Sequence, residues 1–256
     1  MSTSAVATVL VETTGAIGRI TLNAPQRLNA VDPQMCAAVA EGVRAFDEDP
    51  AVRVIALTGA GRGFCSGAPL SADGATSGTL YAGAELVRAL LASRTPVVAL
   101  VNGVAAGIGV PMALACDYVL ASDAASFVLA FARIGLMPDG GSTALVAASI
   151  GRARAMRLAL TGETLDAVTA ADWGLVAECV VAEQFSDRSD AVLTAFAGGA
   201  TLALGETKAA VNAASVDVEA ALAREEVGQI SLMHTADYRE GVAAFLAKRP
   251  ADFTGH

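Results

Sequence analysis

The chain has 256 residues, of which 54% are hydrophobic and 17% charged, and its formal net charge is -9. This composition supplies apolar material for one substantial core, and the acidic balance disfavours nucleic acid as a partner because a phosphate backbone would be repelled. The four cysteines and two histidines are spread along the chain without metal-ligand spacing. We therefore predict no metal site and reduced thiols in a cytoplasmic protein.

No secretory or membrane segment is predicted. The N-terminus lacks a basic stretch ahead of an apolar one, which a signal peptide requires. The uncharged run Thr95–Cys116 has the length of a membrane span, but Asn102 and several glycines interrupt it. We interpret it as a buried strand, a tight glycine turn and a buried helix.

Strands and helices alternate along most of the chain. The first predicted elements are two strands at Val6–Glu12 and Ile17–Leu22, and a helix that Asp32 and Pro33 begin and that runs to Asp47. The elements predicted after these are strand Val52–Thr58, a glycine-rich loop at 59–70, a surface loop Ser71–Thr79, helix Tyr81–Ala92, strand Val97–Val101, a helix to Cys116, strand Asp117–Ala121 and strand Leu175–Val181. The last sixty or so residues have helical patterns alone.

This order of elements predicts an α/β fold. We place a core over residues 1–195 and a helical C-terminal region over residues 196–256, which packs on the core or on a neighbouring subunit.

The first segment that carries chemistry is 97–116, VVALVNGVAAGIGVPMALAC. A loop with Gly103 and Gly107 lets the backbone approach a ligand closely. Free N–H groups at the start of the following helix, near Ile108 and Gly109, would favour a developing negative charge. A plain tight turn between core elements is an equally good reading of this segment.

The second segment is 59–70, GAGRGFCSGAPL, which also follows a buried strand. Phe64 occupies the place of the last glycine of a dinucleotide-binding fingerprint, and the lysine of a phosphate-binding loop is missing, so both nucleotide readings fail. A variant nucleophile elbow with Cys65 as nucleophile and His234 as base is a further alternative. Two glycine loops after two buried strands also allow a pair of backbone donors.

Taken together, the motifs resemble those of the crotonase (enoyl-CoA hydratase/isomerase) superfamily over nearly the whole chain. They are LNAPQRLNAVD (22–32), GRGFCSGAPL (61–70), VNGVAAGIGVPMALACD (101–117), FARIGLMPDGGST (131–143), GRARAMRLALTGE (151–163) and DYREGVAAFLAKR (237–249). Within the superfamily, FARIGLMPDGG and the C-terminal motif are most similar to the epoxyphenylacetyl-CoA isomerases.

The resemblance implies a spiral ββα core, a helical C-terminal region used in oligomerisation, and an acyl-CoA thioester as substrate. It places the thioester oxygen between the N–H groups of Ala68 and Ile108. It also implies a homotrimer or homohexamer and no cofactor, because coenzyme A enters as part of the substrate.

The family's hydratases use two glutamates to activate water, and the matching positions here are Pro111 and Phe131. Neither side chain can transfer a proton. The resemblance places a functional aspartate at Asp139, which could take a proton from one carbon of the acyl chain and return it to another. Read without the family, Pro-Asp-Gly is ordinary turn chemistry.

The favoured function is therefore an enoyl-CoA isomerase, with an enoyl-CoA hydratase or a non-catalytic CoA-thioester-binding protein as alternatives. By resemblance, Arg27 and Leu28 would contact the nucleotide end of coenzyme A, and Phe245 and Lys248 its adenine or phosphate. The full set expected to bind substrate is Arg27, Leu28, Ser66, Gly67, Pro69, Leu70, Gly107, Gly109, Pro111, Phe131, Ile134, Pro138, Phe245 and Lys248.

Overall fold

The computed structural model describes residues 7–70 and 77–256. The strands of these ranges are β1 (Val9–Thr14), β2 (Ile17–Leu22), β3 (Val54–Gly59), β4 (Gly63–Cys65), β5 (Val97–Val101), β6 (Val104–Ala106), β7 (Tyr118–Ser122), β8 (Ser126–Val128), β9 (Thr164–Asp166) and β10 (Glu178–Val180). Their helices are α1 (Pro33–Glu48), α2 (Ser77–Ala92), α3 (Gly109–Leu114), α4 (Ser142–Thr161), α5 (Ala167–Trp173), α6 (Phe185–Gly198), α7 (Thr201–Ser215), α8 (Val218–Leu232) and α9 (Ala236–Leu246).

The strands form a large sheet and a small one. The large sheet has the order β1-β2-β3-β5-β7-β10, and all its pairs are parallel except the β1–β2 hairpin. The small sheet has the order β4-β6-β8-β9, and its last pair is antiparallel. Three consecutive strands of the large sheet, β3, β5 and β7, are each followed directly by a strand of the small one, so the chain spirals through both sheets.

The central strands of the large sheet are apolar throughout because both faces of the sheet are covered. Ile55 and Leu57 on β3 point into the main core under helices α1 and α2. Val54 and Ala56 point to the other face, where Val192 and other residues of α6 cover them. The period of two along β3 thus divides its side chains between two apolar layers.

Most of the predicted elements are present, with shifted ends. The α/β alternation, the strand Val97–Val101 and the helical C-terminal region are confirmed. Helix α1 begins as predicted, with the Asp32 carboxylate accepting the Met35 N–H at 2.9 Å. The predicted division between residues 195 and 196 falls inside α6.

Several boundaries were wrong. The first strand, predicted at Val6–Glu12, covers Val9–Thr14, and Val6 lies outside the described residues. Residues 77–79 belong to α2 instead of a surface loop, whose other predicted residues, 71–76, also lie outside the described part. The helix predicted to reach Cys116 is α3, which ends at Leu114. The strand predicted at Leu175–Val181 is β10, which covers Glu178–Val180.

The four short strands β4, β6, β8 and β9 were not predicted. Each has three residues, too few to show a period of two. None of the helices in the described ranges is long and apolar enough to cross a membrane.

Candidate active site

Two parallel strands of the small sheet bring the two glycine-rich loops to the same edge. Strands β4 and β6 pair in parallel, with Cys65 opposite Ala105. Ala68 and Ile108 each stand three residues beyond this pair, so both loops leave the sheet in the same direction. A Cβ built on Gly67 would lie 3.2 Å from the Ala106 carbonyl oxygen. The backbones of the two loops are therefore in direct contact.

The contact depends on glycine. A Cβ on Gly109 would lie only 2.5 Å from the Cys65 carbonyl oxygen, and Gly67 has a φ of +97°, which L side chains rarely adopt. The Gly67 carbonyl is held by the Val31 N–H at 2.8 Å. Within residues 7–70 and 77–256, no acceptor pairs with the N–H of Ala68 or of Ile108. The adjoining loops thus carry two backbone donors without an acceptor among the described residues.

Both loops open onto a cavity of about 500 Å³. Most of its wall is apolar, and Arg27, Arg133, Asp139 and Gln229 are its charged or amide-bearing side chains within the described residues. The residues that line it are Arg27, Ala30, Ser66, Gly67, Ala68, Pro69, Leu70, Thr79, Leu80, Ala106, Gly107, Ile108, Ala130, Phe131, Arg133, Ile134, Leu136, Asp139, Gln229, Met233 and Phe245. A largely apolar cavity with a few convergent polar groups is the usual form of a small-molecule site.

Asp139 reaches this cavity from the segment between β8 and α4. Gly140, which follows it, has a φ of +64°, and a Cβ there would lie 2.4 Å from the Ile108 Cδ1 atom. Glycine at position 140 therefore suits both the left-handed backbone and the close contact with the Ile108 side chain. Asp139 thus lines the same cavity as Ala68 and Ile108.

The Asp139 carboxyl has an altered proton affinity. Burial raises its pKa to about 6, a hydrogen bond from Gln229 opposes the rise, and the nearby Glu225 carboxylate adds to it. A carboxyl whose pKa lies near neutrality is suited both to take up and to return a proton. Burial is the largest of these three causes.

Sequence reasoning missed Gln229 and Glu225. Both side chains are 1% exposed and lie on α8, far along the chain from Asp139. The Gln229 Nε2 atom donates to Asp139 Oδ2 at 3.0 Å. A signal existed, because both residues continue the buried helical stripe of Val218 and Leu222, where polar groups need partners.

The two positions that lack the family's glutamates differ in location. Phe131 lines the cavity, and a Cβ on Gly107 would lie 3.8 Å from its ring. Pro111 is buried behind Gly140. In the described part of the chain, Asp139 is the one carboxylate in the cavity wall.

Five residues expected to bind substrate do not line the cavity. Gly109 lies over Cys65, Leu28 packs beside Gly63, and Lys248 is exposed after α9. Their placement follows from packing, since the first two fill space between the loops and the core. The five residues are Leu28, Gly109, Pro111, Pro138 and Lys248.

The geometry disfavours the cysteine nucleophile. Cys65 is fully buried, and burial raises the pKa of its thiol to about 12. A thiol in apolar surroundings is a poor nucleophile because it does not ionise near neutral pH. His234 is absent from the described cavity wall, and no cluster of three metal-ligating side chains occurs in the described ranges.

With this geometry established, the chain can be placed among known proteins. The sequence model of the family Enoyl-CoA hydratase/isomerase matches residues 12–256. The chain belongs to this family, within the crotonase superfamily, and is an enzyme of it. The spiral of paired strands with a helical C-terminal region is the crotonase fold.

Particular relatives span nearly the full length. The chain is 41% identical to the 1,2-epoxyphenylacetyl-CoA isomerase of Escherichia coli K12, over 92% of this chain and 94% of the relative. It is also 41% identical to a probable enoyl-CoA hydratase of Rhodobacter capsulatus, over 97% and 98%. A crystal structure of an enoyl-CoA hydratase from Mycobacterium avium subsp. paratuberculosis superposes with a TM-score of 0.92 at 43% identity, covering 97% and 99% of the two chains.

Proposed function

We propose that this enzyme is an enoyl-CoA isomerase that moves a carbon–carbon double bond along the acyl chain of a coenzyme A thioester. The observation that carries the proposal is Asp139, a carboxyl group with a raised pKa in the wall of the cavity that Ala68 and Ile108 also line, whose N–H groups have no acceptor within residues 7–70 and 77–256. The relative from E. coli, named an isomerase, supports the same class of reaction.

The N–H groups of Ala68 and Ile108 would bind the thioester oxygen. When a base removes a proton from the α carbon of a 3-enoyl thioester, the electron pair delocalises to this oxygen and forms a dienolate. Donors already aimed at the oxygen stabilise this charge without reorganisation. A single donor of this kind contributes about 3 kcal/mol to lowering the barrier.

Asp139 would move the proton. Its carboxylate takes the α proton, becomes a neutral carboxylic acid, and returns the proton to the γ carbon, which leaves a 2-enoyl thioester. No proton is gained or lost overall, so one carboxyl group is sufficient. The reaction needs no cofactor, and coenzyme A takes part as the carrier of the acyl group.

The main alternative is hydration of a 2-enoyl thioester, which the names of the R. capsulatus and M. avium relatives favour. Hydration requires a base that takes a proton from water as its oxygen attacks the β carbon, and an acid that delivers a proton to the α carbon. Phe131 at the cavity wall and Pro111 behind it supply neither group. A CoA-thioester-binding protein without catalysis would bind the same ligand and turn over neither substrate.

One assay separates these possibilities. The pure protein is given a 3-enoyl-CoA and, separately, crotonyl-CoA, and the absorbance of the conjugated thioester is followed. We expect the absorbance to rise with the first substrate and to stay constant with the second. A rapid fall with crotonyl-CoA would identify a hydratase instead, and no turnover of either would favour the binding protein.

The Asp139→Asn variant tests the base. It keeps the shape of the side chain but cannot accept the proton, and we expect kcat to fall by at least about 10²-fold. The matched control is Asp172→Asn, because Asp172 is exposed on α5 and is not among the described residues of the cavity wall. Full activity in Asp139→Asn would rule Asp139 out as the base.

We also propose that the enzyme forms a homotrimer or homohexamer. Large apolar side chains such as Leu202 and Val227 on the C-terminal helices are 82% and 73% exposed in the single chain, which supports association. Light scattering measures the mass directly, and a monomer at micromolar concentration would contradict this proposal.

A further inference from the structure

We propose that Gln229 is a positioning residue: from the C-terminal helix α8 it fixes the orientation and the proton affinity of the Asp139 carboxylate. This inference rests on the proposed function, in which Asp139 carries the proton. The observation behind it is the hydrogen bond from Gln229 Nε2 to Asp139 Oδ2, at 3.0 Å, between two residues that line the same cavity.

The orientation of the Gln229 amide is determined by a second contact. Its Oε1 atom accepts the backbone N–H of Met137 at 3.2 Å. An amide group has one accepting end and one donating end. If the amide were flipped, its NH₂ group would face the Met137 N–H and its oxygen would face the Asp139 carboxylate, and both contacts would be repulsive. Gln229 is therefore held as a donor toward Asp139.

The hydrogen bond from Gln229 gives the two oxygens of the Asp139 carboxylate different roles. Oδ2 is occupied by Gln229, whereas Oδ1 has no intramolecular donor within the described residues. Oδ1 is then the oxygen left to take a proton from the substrate. Because Gln229 is 1% exposed, water does not compete for its amide, and the hydrogen bond forms in a poorly polarisable environment.

The segment that carries Asp139 also packs closely on α8. A Cβ built on Gly228 would lie 2.2 Å from the Met137 Sδ atom, so glycine at this position allows the approach. One turn earlier on α8, Glu225 accepts the Gly141 N–H at 2.6 Å and the Thr143 N–H at 2.9 Å. Helix α8 therefore holds the Asp139 segment on both sides of the carboxylate.

Glu225 and Gln229 act on Asp139 with opposite sign. The hydrogen bond from Gln229 stabilises the Asp139 carboxylate and lowers its pKa, whereas the negative charge of Glu225 raises it. The two residues are one helical turn apart on the same helix and equally buried. Substitutions of the two residues should therefore shift the Asp139 pKa in opposite directions. General damage to α8 would instead affect both variants in the same way.

The other titratable groups near Asp139 do not alter the opposite effects of Gln229 and Glu225 on its pKa. The Cys36 thiol on α1 interacts electrostatically with Asp139, but burial raises the pKa of this thiol to about 12, so it stays neutral. Arg27 and Arg133 line the cavity, and Arg27 is paired with Asp32 at 2.9 Å. Neither arginine contributes to the shift of the Asp139 pKa.

The test measures the protonation of Asp139 directly and through catalysis. The full-length protein is prepared as wild type, Gln229→Met and Glu225→Gln. Infrared difference spectra between each protein and its Asp139→Asn derivative give the titration of the Asp139 carboxyl, and kcat/KM with a 3-enoyl-CoA is measured over the same pH range. Gln184→Met is the matched control, because Gln184 is exposed and outside the described cavity wall.

We expect Gln229→Met to move the acidic limb of the kcat/KM profile, and the infrared titration, to higher pH. We expect Glu225→Gln to move both to lower pH, and Gln184→Met to leave both unchanged. A shift of about one pH unit corresponds to a tenfold change of kcat/KM on the acidic side of the limb. If Gln229→Met does not fold, Gln229→Leu also removes the donor, and we expect a shift in the same direction.

Two results would overturn the inference: an unchanged infrared titration in folded Gln229 variants, or shifts of equal sign in the Gln229 and Glu225 variants. Failure of the proposed function gives a different pattern. If Asp139→Asn stays fully active while the infrared titration still shifts as expected, Gln229 positions a carboxyl that does not carry the proton.

Discussion

Gly67 offers the sharpest test of the two-donor arrangement, because a single methyl group would separate the two loops. An alanine at position 67 would place its Cβ 3.2 Å from the Ala106 carbonyl oxygen and 3.8 Å from Gly107 Cα. It would also have to adopt a φ of +97°. The left-handed conformation costs about 1–2 kcal/mol for an L residue. The close contact adds a displacement of a few tenths of an ångström between the loops that carry Ala68 and Ile108.

Loss of one oxyanion donor lowers kcat by about 10²–10³-fold. A partial displacement of the donors leads us to expect a fall of about 10²-fold in kcat for Gly67→Ala, measured with a 3-enoyl-CoA. Gly15→Ala is the control, since Gly15 has a φ of +59° in the β1–β2 turn but no atom within 4 Å of a built Cβ. Gly15→Ala also forces an L residue into the left-handed region, but outside the described cavity wall, and we expect its kcat to be unchanged.

The comparison is interpreted after both variants are shown to be folded by circular dichroism and to bind coenzyme A. If folded Gly67→Ala keeps a kcat within about threefold of the wild type, the two loops do not together hold the thioester oxygen.

Three further predictions follow from other contacts. Because protonation of Asp139 removes the base and its pKa is raised to about 6, we expect kcat/KM at pH 5 to be about one tenth of its plateau, and a profile flat down to pH 5 would contradict this. Lys208→Met leaves the partly buried Asp117 carboxylate without the ion pair at 2.7 Å, so urea denaturation should show a loss of up to about 3 kcal/mol. This loss should shrink at acidic pH, where Asp117, whose pKa burial already raises, becomes protonated, and Asp117→Asn in the Lys208→Met background should recover part of it. Asn29→Ala removes hydrogen bonds at 2.9 Å to Ala24 and 2.7 Å to Gly63, and thermal unfolding should show a loss of at least about 2 kcal/mol, whereas an unchanged Tm would refute the role of Asn29.

The parts of the fold predicted from sequence are those with strong local signals. Strands β3 and β5 are continuous apolar runs because both faces of the large sheet are buried, and Asp32 with Pro33 marks the start of α1. The short strands have no such signal. Strand β4 is Gly63–Cys65, and its conformation comes from pairing with β6, far along the chain. Such pairing cannot be read from three residues.

Some residues of the candidate site could be identified from the sequence and others could not. The glycine loops carry local motifs, whereas Asp139 was singled out through the family resemblance. Gln229 was missed because its partner lies 90 positions away, and a glutamine on a helix normally faces solvent. The signal available was positional: Glu225 and Gln229 continue a stripe of buried residues on α8. Polar residues in such a stripe could have been flagged for a functional contact.

The spiral through the two sheets has a consequence for how this enzyme could diversify. Successive turns of one structural unit end at the same edge: the turn through β4 leads to Ala68, the turn through β6 to Ile108, and the turn through β8 to Phe131 and Asp139. The first two turns contribute main-chain atoms, which most substitutions leave unaltered, whereas the third contributes side chains. New chemistry can therefore be acquired by replacing residues of the third turn while the main chain of the first two turns is kept.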